Sequence, residues 1–360
     1  MKRMLYYFSK ISCKRLSGVA NILFIALLFF SCSNSEDPSF DTYSLEGEEV
    51  GPIDFFGKPT SIISDQGKFV ISDEVTKENL HYLDDNFSVI RSIGRYGNGP
   101  DEIQFPVTLL PVQPFEENPL RILTGDPVKE VNLKDSNDNL KFVNYHKDNL
   151  LTQKIVIVND SVIWGQGGSD QFKFRAVNTN NGEVLKELPF PRYGDFFKPN
   201  ILPFVYHGLG HYHPWWDRVV WCHIHLNTIE FYYPDGEFEK EWVFGDRWTE
   251  EELNNRYLVF TRSVPVPNGL LVMHLKEGKE ITENAAIKSF FYQALNRIKT
   301  RILFFNEEGE VKWSLKLDRF LNDFTFDLKN KRIVGLYGES EERNMVVYEL
   351  PEELHKDIGF

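Results

Sequence analysis

"SIGRYGNGPDEIQFP", residues 92–106, places Gly94, Gly97 and Gly99 close together and follows them with the acidic pair Asp101 and Glu102. Read as a phosphate loop, it would make the chain an α/β nucleotide-binding protein. Read as a connector between strands, it belongs to an all-β architecture. A P-loop needs G-x-x-x-x-G-K-[ST], with a lysine and a hydroxyl beside the phosphates. Here Pro100 and Asp101 follow the glycines, and no Lys, Ser or Thr is in place. A dinucleotide fingerprint needs a helix to start at the glycines within a βαβ unit. The downstream text "FPVTLLPVQP" (105–114) is broken by prolines and cannot supply one. Asp101 and Glu102 would also repel phosphate. The connector reading fits better: "SVIRSIG" ends one strand, the glycines allow positive φ at a reversal, and "FPVTLLPV" begins the next.

On both sides of that connector the chain repeats weakly. Apolar segments flank an Asn/Asp/Gly turn in "HYLDDNFSVIRSIG" (81–94), "EVNLKDSNDNLKFVNY" (130–145), "RAVNTNNGEVLKEL" (175–188), "EFYYPDGEFEKEWVF" (230–244) and "ILFFNEEGEVKWSLKL" (302–317). Each is a hairpin signature. A short apolar run after a turn residue accompanies each unit: "KFVISD", "LRILTGD", "DSVIWGQG", "DRVVWCHIHL", "NGLLVMHL" and "KRIVGLYGE". Six units at about 50 residues each predict a six-bladed β-propeller, all-β, with four-stranded antiparallel blades. The 14% aromatic content suits sheet packing. A ring must close without free edges, so "DTYSLEG" (41–47) is expected to pair with the final blade. Two stretches break the repeat. "WTEEELNNRYLVF" (248–260) opens with a helix-start signal, and "TENAAIKSFFYQALNRIKT" (282–300) has helical spacing. The second predicts a short helical insertion in blade five.

The N-terminus carries an address. Lys2, Arg3, Lys10, Lys14 and Arg15 precede the apolar run "VANILFIALLFF" (19–30), which is shorter than the roughly 20 residues a membrane-spanning helix needs. Residues 1–31 therefore read as a signal peptide. The segment ends "LFFSCSNSED", with Cys32 after a small residue, an arrangement that resembles the lipobox of bacterial lipoproteins. The resemblance implies lipidation at Cys32; the polar stretch 32–40 then reads as a tether, and the repeats place the propeller over 41–360. Glu36 and Asp37 resemble the short acidic signal that exports some such lipoproteins to the cell surface. The glycine stretch, through Ile93, Gly94, Arg95, Gly97, Gly99, Pro100 and Glu102, is similar to a motif of TolB-like six-bladed propeller lipoproteins of the Bacteroidetes type. Asp101 stands where that motif more usually has Gly or Glu. The resemblance implies an outer-membrane lipoprotein, facing the periplasm or the cell surface, with protein partners in envelope assemblies.

Loss of the five basic signal residues takes the net charge from −13 to about −18. So acidic a surface argues against nucleic-acid binding and against electrostatic docking on anionic lipid; attachment would come from acyl chains. Of three cysteines, Cys13 leaves with the signal and Cys32 with the anchor, so Cys222 has no internal disulfide partner and reads as a buried small hydrophobe.

The patch "YHGLGHYHPWWDRVVWCHIHLN" (206–227) holds five of the nine histidines. His211/His213 and His223/His225 form two H-x-H pairs, and residues i and i+2 of a strand share a face. If the two pairs converged across adjacent strands, four imidazoles could hold zinc or another transition metal. The competing reading makes these rings and Trp215, Trp216 and Trp221 packing between blades. Exposed tryptophan beside Asp217 and Arg218 would suit stacking on a sugar or peptide. Paired carboxylates such as Asp84/Asp85 and Glu341/Glu342 fall in turns and carry no specific signal. Nucleophile-elbow, H-E-x-x-H and calcium-loop patterns are absent. The composition favours a binding or scaffold module for a protein, peptide or glycan, with no cofactor required. The alternative is a propeller-type hydrolase or lyase with a histidine-based, metal-assisted site.

Overall fold

The computed structural model of the chain describes residues 40–51, 56–97, 99, 102–104, 107–110, 119–124, 128–133, 140–143, 154–166, 172–190, 205–245, 259–275, 299–338 and 344–360. Two extended segments come first, β1 (Asp41–Leu45) and β2 (Glu48–Val50). Blade one is β3 (Pro59–Asp65), β4 (Lys68–Asp73), β5 (Glu78–Leu83) and β6 (Val89–Tyr96), with a short parallel addition, β7 (Glu102–Ile103). Blade two is β8 (Val107–Leu110), β9 (Leu120–Thr124), β10 (Val128–Val131) and β11 (Leu140–Val143). Blade three follows as β12 (Ile155–Ile157), β13 (Val162–Gln166), β14 (Phe174–Asn178) and β15 (Val184–Leu188). Blade four is β16 (Gly208–His213), β17 (Arg218–His223), β18 (Thr228–Tyr232) and β19 (Phe238–Val243). Blade five is β20 (Phe260–Val266), β21 (Gly269–His274), β22 (Arg301–Asn306) and β23 (Val311–Leu317). Blade six is β24 (Leu321–Asp327), β25 (Arg332–Tyr337) and β26 (Asn344–Glu349), and the helix α1 (Glu352–Ile358) ends the chain.

The first strand of each blade packs against the first strand of the next, from β3 through β8, β12, β16 and β20 to β24 and back to β3. That closed cycle makes the protein a six-bladed propeller. The hydrophobic effect explains why the blades assemble. Strand side chains alternate between faces, and successive residues enter different cores: Ile62 joins the cluster between blades six and one, whereas Ile63 joins that between blades one and two. Each apolar cluster spans a pair of neighbouring blades. The sheet faces are thus covered by the blades on either side.

Closure differs from the expectation for 41–47. Blade six is completed by β2, antiparallel to β26 with Glu48 opposite Val347. β1 instead adds a fifth, parallel strand to the outer edge of blade five, with Asp41 opposite Trp313. The chain changes blade at Gly47, where a Cβ would lie 2.3 Å from Val346 Cγ2 and collide with the Tyr348 ring. Both β1 and β2 are edge strands with mostly exposed side chains. Their alternation therefore does not choose between the two blades.

The glycine stretch is a connector, as its chemistry indicated. Gly94 has φ 77°, and Ile103 packs so tightly over it that a Cβ would come within 2.1 Å of Ile103 Cδ1. The Glu102 carboxylate accepts the Gly99 N–H at 2.7 Å, and Lys129 Nζ donates to the Gly99 carbonyl at 3.2 Å. The Gly99 N–H is thus taken by a carboxylate of the same loop. The 282–300 stretch belongs to blade five, between β21 and β22. Its residues 282–298, like 248–258 and the signal, Cys32 and tether through residue 39, lie outside the described residues. Phe260, the last residue of the other irregular stretch, opens β20. α1 was not foreseen; it buries Leu354 and Ile358 beside blades five and six.

Candidate functional site

The six innermost strands enclose a cavity of about 250 Å³ on the propeller axis. Its walls come from the later residues of these strands, and Asn159, Pro214 and Leu328 border it from the turns that follow. It therefore lies toward the end of the propeller where first strands turn into second strands. Most of the lining is aliphatic, but a few polar groups interrupt it. Ser64 Oγ pairs with Thr325 Oγ1 at 2.8 Å and donates to the Phe326 carbonyl at 2.7 Å. Ser263 Oγ lies 3.1 Å from His211 Nδ1. Arg262 lies 2.9 Å from Asp323 Oδ1 and donates to the Ile62 carbonyl at 3.2 Å. Asp323 is buried and also accepts the Ile62 and Phe324 N–H groups, each at 2.9 Å. Desolvation raises its pKa, against the pull of Arg262.

Blade four separates the predicted site residues. In the β16–β17 pairing, His213 faces Arg218, His211 faces Val220 and Gly208 faces His223. His211 and His223 therefore stand three residue pairs apart, about 10 Å at the rise of a strand. The turn holding Trp215, Trp216 and Asp217 lies at one end of the blade. His225, in the turn after β17, lies at the other. The four imidazoles do not converge. Among the described residues no group of three or more His, Cys, Asp or Glu side chains could hold a metal.

Each residue has a distinct environment. His211 lines the axial cavity, and burial, with His213 and Arg262 nearby, drives its pKa well below the usual value. His213 is completely buried; its Nε2 donates to the Gly269 carbonyl of blade five at 3.0 Å, and its Nδ1 accepts the Trp216 N–H at 3.3 Å. Burial lowers its pKa to about 4, so the ring is neutral at pH 7. Trp216 stacks on it with ring centroids 3.9 Å apart. Asp217 has φ 52° and accepts the Tyr212 hydroxyl at 2.7 Å. Arg218 ties to Glu239 at 2.7 Å, donates to the carbonyls of Trp216 and Asp217, and lies 3.9 Å over the Tyr233 ring. Trp215 is 42% exposed on this braced turn. His225 lies near His207, whose pKa burial and Lys154 lower to about 4. Cys222 is buried, and burial pushes its thiol up to about 12.

His223 belongs to a charged cluster that sequence reading missed. Lys173, only 1% exposed, forms an ion pair with Glu230 across the interface of blades three and four. His223 Nε2 lies 3.0 Å from Glu230 Oε2, and the Tyr232 hydroxyl donates to the same oxygen at 2.8 Å. The ammonium lies 5.0 Å from the Phe174 ring centroid and 4.9 Å from that of Tyr206. Burial alone would raise the Glu230 pKa. Lys173 and His223 more than offset it and hold the carboxylate ionised. "FKFR" (172–175) signals a strand with its charges outward, and nothing local announces that Lys173 points inward. Arg262, Ser263 and Asp323 were missed too. The available signal was a charged residue inside the apolar run "FTRSVPV".

No protein-family model matches the chain, and no curated protein matches it. Solved structures do. An exported protein of Bacteroides fragilis is 10% identical, with a TM-score of 0.52 over 86% of this chain and 99% of its own. A DUF4221-family member from Bacteroides vulgatus is 11% identical, with a TM-score of 0.50 over 84% and 95%. Regucalcin from Agrobacterium tumefaciens, a calcium-binding protein, is 10% identical, with a TM-score of 0.50 over 86% and 95%. At such identities the likeness establishes the fold and leaves function to the site. Among the described residues no helix is long and apolar enough to cross a membrane.

Proposed function

We propose that the chain is an envelope lipoprotein, anchored through Cys32, whose propeller is a binding module for a glycan, peptide or protein. The observation that supports this reading most is the blade-four turn. Trp215 is exposed, yet the three residues that follow it are tied down: Trp216 on His213, Asp217 to Tyr212, and Arg218 to Glu239. A fixed aromatic surface loses little entropy when a sugar face or peptide side chain stacks on it. Tyr212 and Pro214 of the same segment border the axial cavity, so a partner seated on the turn would also cover its rim. The hydrolase or lyase alternative would need several histidines at one point. Only His211, of the four in the two pairs, lines the cavity.

The test is a glycan and peptide binding screen with the mature domain, comparing wild type with Trp215→Ala. Binding is expected to fall about tenfold or more with the thermal midpoint unchanged. Equal binding by the variant would refute the assignment of the turn. Intact-mass analysis of the membrane fraction tests the anchor separately: acyl mass on Cys32, lost in Cys32→Ala, is the expected result.

A further inference from the structure

We propose that Lys154 is a nucleophilic amine that captures a small oxo acid as an imine, with His207 beside it to move the proton. The site lies at the end of the propeller opposite the Trp215 turn, and the proposal does not depend on that turn. Lys154 directly precedes β12, the first strand of blade three, and its carbonyl accepts the Gln166 N–H at 3.0 Å. His207 directly precedes β16, the first strand of blade four, and its carbonyl accepts the Ile224 N–H at 2.9 Å. His225 stands in the turn after β17, at the same end of the blade. The start of two neighbouring first strands thus gathers a lysine and two histidines, each half-buried.

Lys154 Nζ donates to His207 Nε2 and to the Gly208 carbonyl, the latter at 3.0 Å. Both acceptors are neutral groups. Because Nε2 accepts, it carries a lone pair, and the proton of the imidazole sits on Nδ1. The His225 ring centroid lies 6.4 Å from that of His207. Three groups that each turn positive on protonation therefore share one half-buried place, which disfavours their charged forms. Desolvation lowers Lys154 to about 8, and burial with Lys154 and His225 lowers His207 to about 4. At pH 7 His207 is neutral and about a tenth of Lys154 is free amine, against roughly one part in a few thousand for a lysine of ordinary pKa. Desolvation and a neighbouring cationic group are the conditions that make a lysine a nucleophile toward carbonyl carbon.

The step balances without an oxidant or reductant. The Nζ lone pair attacks the carbonyl carbon, and the π pair of the C=O bond moves to oxygen. One nitrogen proton passes through His207 Nε2 to that oxygen and gives a carbinolamine. The second nitrogen proton leaves with the hydroxyl as water, and the C=N bond forms. The same surroundings choose the carbonyl compound. Lys154, His207 and His225 oppose a further cation, and a carboxylate on the substrate offsets the positive charge of a protonated imine. A small oxo acid brings the carbonyl and the carboxylate together.

Reductive trapping on the mature domain tests the proposal. Glyoxylate with cyanoborohydride converts an imine into a stable carboxymethyl amine, which peptide mass spectrometry maps. At pH 7 Lys154 is expected to be modified about tenfold or more faster than any other lysine. Raising the pH from 7 to 9 should speed its modification about tenfold and that of the other lysines about a hundredfold. With propanal, a neutral aldehyde, the preference for Lys154 over the other lysines should be about threefold smaller or less. Lys154→Arg keeps the charge and the hydrogen-bond donors and should lose the fast modification at an unchanged melting profile. His207→Gln keeps an acceptor that takes up no proton, and should slow capture at Lys154 about fivefold. Modification spread evenly over the lysines, a hundredfold pH response at Lys154, or an equal preference for Lys154 with propanal would each overturn the proposal.

Discussion

Replacing Lys173 by methionine should destabilise the protein far more than the loss of one ion pair at the surface would. The methionine keeps most of the stem's packing but removes the charge. Glu230 then stays buried against His223 and Tyr232 with no cation beside it. Breaking one partner of a buried pair costs about 3–5 kcal/mol, because the remaining charge is uncompensated. The contacts over Phe174 and Tyr206 add about 0.5–1 kcal/mol each. A loss of about 4–7 kcal/mol is expected in urea unfolding at pH 7, followed by tryptophan fluorescence. The double variant Lys173→Met/Glu230→Gln removes both charges and keeps an acceptor for the Tyr232 hydroxyl. It should fall within about 2 kcal/mol of wild type, a coupling of about 3 kcal/mol or more between the two sites.

The pH dependence has a definite sign. In the wild type the Glu230 pKa is depressed in the folded state. Its contribution is therefore full above the unfolded value near 4.3 and is lost only as pH falls through the lower folded value. In Lys173→Met, desolvation is no longer opposed by the ammonium, and the folded pKa rises above the unfolded one. The carboxyl then stays protonated in the folded state at low pH, and the penalty grows as pH rises. The deficit should be smaller at pH 5 than at pH 8. A loss under about 1 kcal/mol, or an equal deficit at the two pH values, would refute the reasoning.

Two further outcomes follow from ring closure. Asp73 is buried and its carboxylate accepts N–H groups from Gly57 at 2.8 Å, Lys58 at 2.9 Å, Val75 at 2.9 Å and Thr76 at 3.2 Å; Asp73→Ala should cost about 3–5 kcal/mol in urea unfolding, since it strands the link from blade six to blade one. A chain beginning at Glu48 lacks β1 but keeps β2, and should remain monomeric with a modestly lower melting temperature; one beginning at Gly51 exposes the edge of β26 and should aggregate in size-exclusion chromatography.

Sequence periodicity resolved the second, third and fourth strands because these carry both strong signals, apolar runs and Asn/Asp/Gly turns. "KFVISD" and "DRVVWC" open on β4 and β17, and "YYPDGEF" turns β18 into β19. The first strands are less legible for a physical reason. They border the axis, where residues such as Ser64, His211, Arg262 and Thr325 line the cavity and make polar contacts to neighbouring first strands. Polar residues there dilute the apolar pattern in the stretches that form the candidate site. Closure was legible as a need, and the strand that meets it was not. The Lys173–Glu230 pair was hidden differently: its partners lie in different blades, and no local pattern records a contact between strands of separate units.

The histidine patch illustrates what such a repeat does to proximity. Residues 211–225 are close in sequence, and a metal-site reading assumes that closeness survives folding. A β-hairpin preserves it only for residues paired across the strands. Here His213 pairs with Arg218, beside the turn that presents Trp215, while His223 pairs with Gly208 at the far end. One strand length then separates a stacking surface from a buried charge cluster, and each joins groups from another blade: Gly269 of blade five at His213, Lys173 of blade three beside Glu230 at His223. In a propeller the functional neighbours of a residue are therefore those at the same height on adjacent blades. By that rule His211 belongs with Ser263, Arg262 and Asp323, and its chemistry is that of the axis.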